Sequence, residues 1–188
     1  MRVVGGRLRG RRLIAPPDNS LRPTAEPTRA SLFDLLTQGR ALAGKDAVRG
    51  ARVLDAFAGT GALGIEALSR GAAEAVFIES ALAHCGILRQ NLRALGLERS
   101  ARLVQVDARL PPRAFAPVDL LLLDPPYGKG LAAPALTALL GAGWLGCGSL
   151  VALEQAAKEP FVPPSGFHPL EERRYGRARI FLLTLVLR

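Results

Sequence analysis

From Gly50 onward the apolar positions fall into short unbroken runs, each followed by a turn and then by a stretch with helical spacing. Val53 to Phe57, Ala75 to Ile78, Arg102 to Val106, Val118 to Leu123 and Leu150 to Leu153 predict strands, and Leu63 to Ser69, Ala81 to Leu95 and Leu131 to Leu140 predict the helices between them. Strands that are apolar throughout, rather than alternating, are buried on both faces, which implies a mostly parallel α/β sheet covered by helices on either side. The end of the chain breaks this rhythm. Pro160, Pro163 and Pro164 lead into His168 to Arg173, and after the turn at Tyr175-Gly176 the run Ile180 to Leu187 reads as the second half of an antiparallel hairpin at one sheet edge.

The first fifty residues follow a different pattern. Residues 3 to 14 alternate loosely, with Gly5-Gly6 and Gly10 as punctuation, so Val3-Val4 and Leu8 to Ile14 predict a small hairpin. Pro16-Pro17, Pro23 and Pro27 keep the chain extended, and from Thr28, a helix N-cap by its position, Ala30, Leu32, Phe33, Leu35 and Leu36 have helical spacing. Two parts follow from this: an extension over 1–42 and a main domain over 43–188. The core from Arg52 onward has its own strands and helices and is expected to fold without the arm.

A length of 188 residues with 49% hydrophobic positions suits about one domain, able to bury roughly 70% of its unfolded surface. No apolar run reaches the ~20 residues of a membrane span, and the Arg-rich start lacks the apolar stretch of a signal peptide, so the chain reads as cytoplasmic. Cys85 and Cys147 lie far apart in apolar or Gly-rich surroundings and read as buried free thiols, with neither disulfide nor metal expected. The net charge of +9 points to a polyanionic partner, and its distribution sharpens that reading. Arg2, Arg7, Arg9, Arg11, Arg12, Arg22 and Arg29 face only Asp18 and Glu26, a net +5 within the first 29 residues. A solvated face usually mixes signs, whereas this arm does not.

Candidate chemistry starts at Asp124-Pro125-Pro126-Tyr127, which ends the run Val118 to Leu123. A carboxylate accepts a hydrogen bond from an amino group on a flat ring, two prolines fix the backbone so that a carbonyl accepts a second, and an aromatic ring follows to stack on the base. Those parts suit methyl transfer to an exocyclic nitrogen of a nucleobase. Taken alone, Asp-Pro-Pro is also an ordinary turn.

The first strand opens into Asp55-Ala56-Phe57-Ala58-Gly59-Thr60-Gly61-Ala62-Leu63-Gly64, where Gly59, Gly61 and Gly64 satisfy the spacing of a dinucleotide-binding turn. Asp55 argues against a pyrophosphate, which it would repel at short range. S-adenosylmethionine has no phosphate, and its ammonium would suit Asp55 beside the turn of Phe57, Gly59, Thr60 and Gly61. Glu79 at the end of the second strand would take both ribose hydroxyls, and Asp107 with the Ala108 backbone at the end of the third would meet the adenine. Each acid alone also reads as a helix cap or an exposed side chain. Asp55, Glu79, Asp107 and Asp124 all stand at carboxyl ends of successive predicted strands, where ligands bind in open α/β sheets. His84 and His168 have no partner pattern and read as structural.

Val4-Gly5-Gly6, Arg9-Gly10-Arg11, Leu21-Arg22-Pro23-Thr24, Arg29, Asp55 to Gly64, Glu66 to Ala72, Asp124 to Tyr127 and Tyr175-Gly176 together resemble the RsmD family of small-subunit ribosomal RNA guanine-N2 methyltransferases. The resemblance covers nearly the whole chain. Ala30 departs from it, since similar members usually carry an acid after the arginine. The resemblance implies a Rossmann-like seven-stranded methyltransferase fold, S-adenosylmethionine as donor, and a guanine of 16S ribosomal RNA as acceptor. That RNA would be met within the small subunit or an assembly intermediate, by a monomer whose arm, with Arg22, Thr24 and Arg29, contacts it. Adenine-N6 methylation of DNA fits the same two acceptors. A non-enzymatic RNA-binding module is the alternative of a different class.

Overall fold

The computed structural model describes residues 1–16 and 26–186. Arg22 and Thr24 therefore lie outside the described residues, as do Pro17, Pro23 and the end of the expected run to Leu187. Five strands run parallel: β1 (Arg52–Ala56), β2 (Glu74–Ile78), β3 (Ala101–Val104), β4 (Val118–Leu123) and β5 (Leu145–Ala156). The C-terminal hairpin supplies β6 (Phe167–Tyr175) and β7 (Ala178–Leu185), and β7 lies antiparallel between β5 and β6. The sheet order is β3-β2-β1-β4-β5-β7-β6. This is the mixed seven-stranded α/β sheet that the sequence pattern and the resemblance imply.

Helices α1 (Glu26–Gln38), α2 (Ala62–Ser69), α3 (Leu82–Ala94) and α4 (Ala132–Gly141) cover the sheet. The apolar runs of β1 and β4 serve two cores because successive side chains point to opposite faces. Val53, Leu120 and Leu122 pack with α1, α2 and α3, while Leu54, Leu121 and Leu123 pack with α4. The chain reverses its direction of travel across the sheet between β1 and β4. The carboxyl ends of these neighbours therefore flank the crevice where an open α/β sheet binds its ligand.

Several boundaries shift. Among the described residues α1 is already helical at Glu26, which puts Thr28 within the helix rather than at its N-cap. β3 stops at Val104, short of Val106, and β5 starts at Leu145, five residues before the expected Leu150. Cys85 is a buried free thiol as expected, whereas Cys147 is exposed at the start of β5.

The expected N-terminal hairpin is reduced to one bridge between Arg2 and Arg12 around a 3-10 turn at Gly6–Leu8. Its alternation has a physical purpose. Val3, Leu8 and Leu13 are buried in the core that holds Leu32, Phe33 and Leu36 of α1 and Leu68 of α2, while Arg2, Arg7, Arg9, Arg11 and Arg12 point outward. Gly6 has φ +72 and lies so close to the Ser69 carbonyl that a Cβ would collide with it. Glu66, fully buried on α2, accepts from the Val4 N–H (2.8 Å) and from Arg70 Nε (2.8 Å), and lies 3.7 Å from Arg29 Nε. The arm thus adds Val3, Leu8 and Leu13 to the core of the domain that was expected to fold without it.

Candidate active site

β1 ends at Ala56 and the chain turns sharply through Phe57, whose φ of +62 puts a bulky residue in the left-handed region. Such strain survives only where the surroundings enforce it. Gly61 (φ +81) caps α2 where a Cβ would collide with Leu88, and a Cβ on Gly64 would enter the Phe77 ring. The glycine spacing thus serves close packing of turn, helix and strand. Gly61 supports the turn from behind, while Phe57, Gly59 and Thr60 line a cleft of about 490 Å³.

Asp55, 1% exposed, accepts the Gly64 N–H at 2.8 Å. Burial pushes its carboxyl up to about 8, the Gly64 bond opposes the rise, and the charge of Glu79 adds to it. Glu79 follows β2 and braces the site from two directions, with Oε2 accepting from Gly59 N–H (2.8 Å) and Oε1 from Ala81 N–H (2.7 Å). Each oxygen keeps a further lone pair. Asp124, Pro125, Pro126 and Tyr127 follow β4 and form the facing wall, and the Asp124 N–H reaches the Ala56 carbonyl at 3.5 Å. Tyr127 donates its hydroxyl to Glu154 Oε1 at 2.6 Å, and Glu159 holds the next loop through Gly128 N–H (2.8 Å) and Gly130 N–H (3.1 Å).

Four residues sit in settings that the sequence did not imply. Asp107 and Ala108 are not among the residues lining the cleft. β3 ends three residues earlier, Arg109 Nη2 pairs with Asp107 Oδ2 at 2.6 Å, and the Arg109 side chain and backbone hold that carboxyl below its ordinary range. Arg29 is fully buried against Glu66 and donates to the Arg2 carbonyl, which removes it from any RNA-facing set; burial lowers its pKa. His84, read as structural, lines the cleft with Nδ1 3.6 Å from Glu79 Oε1.

Sequence reasoning missed Glu154, Glu159 and Asn91. Glu154 did carry a signal, since it is an acid one place after the run Leu150 to Leu153, just as Glu79 and Asp124 follow theirs. Asn91 carried none. Its buried amide accepts from Ile14 N–H (2.7 Å) and donates to the carbonyls of Ile14 (3.1 Å) and Thr60 (3.0 Å), joining the arm to the Gly-rich turn. Among the described residues no helix is long and apolar enough to cross a membrane.

The family model of conserved hypothetical protein 95 matches residues 1–184. The chain is 36% identical over 166 residues to ribosomal RNA small subunit methyltransferase D of Escherichia coli, covering 87% of this chain and 79% of that protein. It is 38% identical over 105 residues to the tRNA (guanine(6)-N2)-methyltransferase of Thermus thermophilus, covering 55% of this chain and 31% of that one. The structure of the Escherichia coli methyltransferase yhhF superposes with a TM-score of 0.83 at 33% identity, covering 98% of this chain and 97% of that one. Matched from the arm through the last strand, the chain belongs to the RsmD family of ribosomal RNA small subunit methyltransferases.

Proposed function

We propose that the protein transfers a methyl group from S-adenosylmethionine to the exocyclic N2 of one guanine in 16S ribosomal RNA. The observation that carries this reading is that Asp55, Glu79 and Asp124, from the ends of β1, β2 and β4, line one cleft. The donor set fits the cofactor. The buried carboxyl of Asp55 suits an ammonium, the remaining lone pairs of Glu79 suit two ribose hydroxyls, and the cleft volume of about 490 Å³ lies within the usual range for small-molecule sites. When bound, S-adenosylmethionine supplies a methyl group already activated by its sulfonium.

The protein's task is to hold the acceptor in line with that methyl, which supplies most of the rate enhancement. The guanine amino lone pair is delocalised into the ring and is a poor nucleophile. Hydrogen bonds from its two hydrogens to the Asp124 carboxylate and the Pro125 carbonyl favour the pyramidal nitrogen that attacks. Tyr127 stacks on the base once it has left its own stack, with the ring held by the bond to Glu154. Arg2, Arg7, Arg9, Arg11 and Arg12 of the arm hold RNA phosphates. Guanine is favoured over adenine by the likeness to a relative named for guanine N2. The substrate is a small subunit or an assembly intermediate, met in the cytoplasm by a monomer.

Incubation with labelled S-adenosylmethionine and either RNA or DNA, from cells lacking the protein, tests the substrate class. Label is expected in the RNA, and label confined to DNA would overturn the reading.

A further inference from the structure

α3 carries no carboxylate along its thirteen residues. Its inner face is Cys85, Leu88, Asn91 and Leu92, and its outer face exposes Arg89 and Arg93, one turn apart. Like charges at that spacing repel, which a polyanion lying against them would relieve. Some other exposed arginines have a carboxylate partner, as where Arg49 faces Asp46 and Arg109 faces Asp107. Among the described residues, Arg89 and Arg93 have no carboxylate within 4.0 Å.

The position of the helix gives this charge a direction. At its start Ala81 and His84 line the cleft. Toward its end the arm is fastened to it, by the Ile14 bonds to Asn91 and by Arg11 Nη2 donating to the Ala94 carbonyl at 3.4 Å. Thirteen residues span about 20 Å, so one element runs from the cleft to the basic arm.

We propose that the outer face of α3, through Arg89 and Arg93, is a second phosphate-binding surface, continuous with the arm at Arg11, along which the RNA strand runs between arm and cleft. The inference rests on the RNA reading above and adds to it the path of the strand. The arginines grip backbone phosphates and read no bases, so they set register and affinity rather than choice of nucleotide.

The test uses the full chain with both arginines replaced, as Arg89→Gln/Arg93→Gln and as Arg89→Glu/Arg93→Glu, and with Arg177→Gln at the β6–β7 turn as a control. Binding to a 16S ribosomal RNA transcript is measured at several potassium chloride concentrations, and methyl transfer to the same RNA is followed. The Gln pair should bind at least about tenfold more weakly at low salt, with a log–log salt slope shallower by about 0.7 for each phosphate that the helix no longer neutralises. KM for RNA should rise while kcat and the affinity for S-adenosylhomocysteine stay near wild type, which a misfolded cleft would not allow. The Glu pair should be weaker still, and the Arg177→Gln control unchanged. Unaltered affinity and slope in both pairs, with a wild type that binds RNA, would make α3 a solvated face and overturn the inference alone. A wild type that binds no ribosomal RNA would overturn the RNA reading together with this surface.

Discussion

Tyr127 donates its hydroxyl to Glu154 at 2.6 Å, tying the loop after β4 to the buried end of β5. A hydrogen bond to a carboxylate is roughly twice as strong as a neutral one, so this contact sets the aim of the ring across the cleft. Tyr127→Phe keeps the ring and removes the bond. The melting temperature should fall by roughly 2–8 °C, corresponding to about 1–2 kcal/mol in a chain of this size. Methyl transfer should fall less than in Tyr127→Ala. Calorimetry checks the first point, and a variant that melts with the wild type would show that the contact contributes nothing.

Asp55 should make cofactor affinity depend on pH. Its carboxyl titrates near about 8 in the folded protein against an ordinary 3.8, so at neutral pH it is mostly protonated. An ammonium requires the carboxylate, and binding therefore releases a proton. Affinity for S-adenosylhomocysteine should rise from pH 6 to 8, by up to about tenfold per unit, and then level off. The same shift acts oppositely on the empty protein: the stability it contributes is full below about 3.8 and is lost as pH rises through about 8. Titration calorimetry across this range should give a flat profile for Asp55→Asn, and a flat profile for the wild type would contradict the assignment.

The arm is a wall of the core as well as a basic surface. Val3, Leu8 and Leu13 are buried, each contributing about 1.5–3 kcal/mol, and Glu66 and Asn91 hold its backbone. Deleting residues 2–14 should lower the melting temperature by more than roughly 10 °C and weaken S-adenosylhomocysteine binding, because Asn91 also holds the Thr60 carbonyl. Replacing Arg2, Arg7, Arg9, Arg11 and Arg12 by Gln should spare both and weaken only RNA binding, with a shallower salt dependence. A truncated chain that melts and binds cofactor like the full one would contradict this role.

The parallel strands and the cleft acids Asp55, Glu79 and Asp124 were legible because burial on both faces forces unbroken apolar runs, with Asp55 near the end of the first strand and Glu79 and Asp124 directly after theirs. Pairings distant in sequence were not. Arg29 reads as one more basic residue of the arm until the fold brings Glu66 to it, and Asn91 looks like an ordinary helix position until Ile14 and Thr60 arrive. Asp107 shows the reverse case. It has the right residue type near the right strand, but β3 ends early and a neighbouring arginine takes the carboxylate.

We propose that this cleft methylates guanine N2 through Asp124. The most direct test is nucleoside analysis of unmethylated small subunits after incubation with labelled S-adenosylmethionine and either the wild type or Asp124→Ala. Label is expected in N2-methylguanosine for the wild type. The Asp124→Ala rate should be at least about a hundredfold lower, as expected when a positioned polar group is removed from the reacting centre, with cofactor affinity changed only a few-fold. Label in N6-methyladenosine, or near-wild-type transfer by Asp124→Ala, would contradict it.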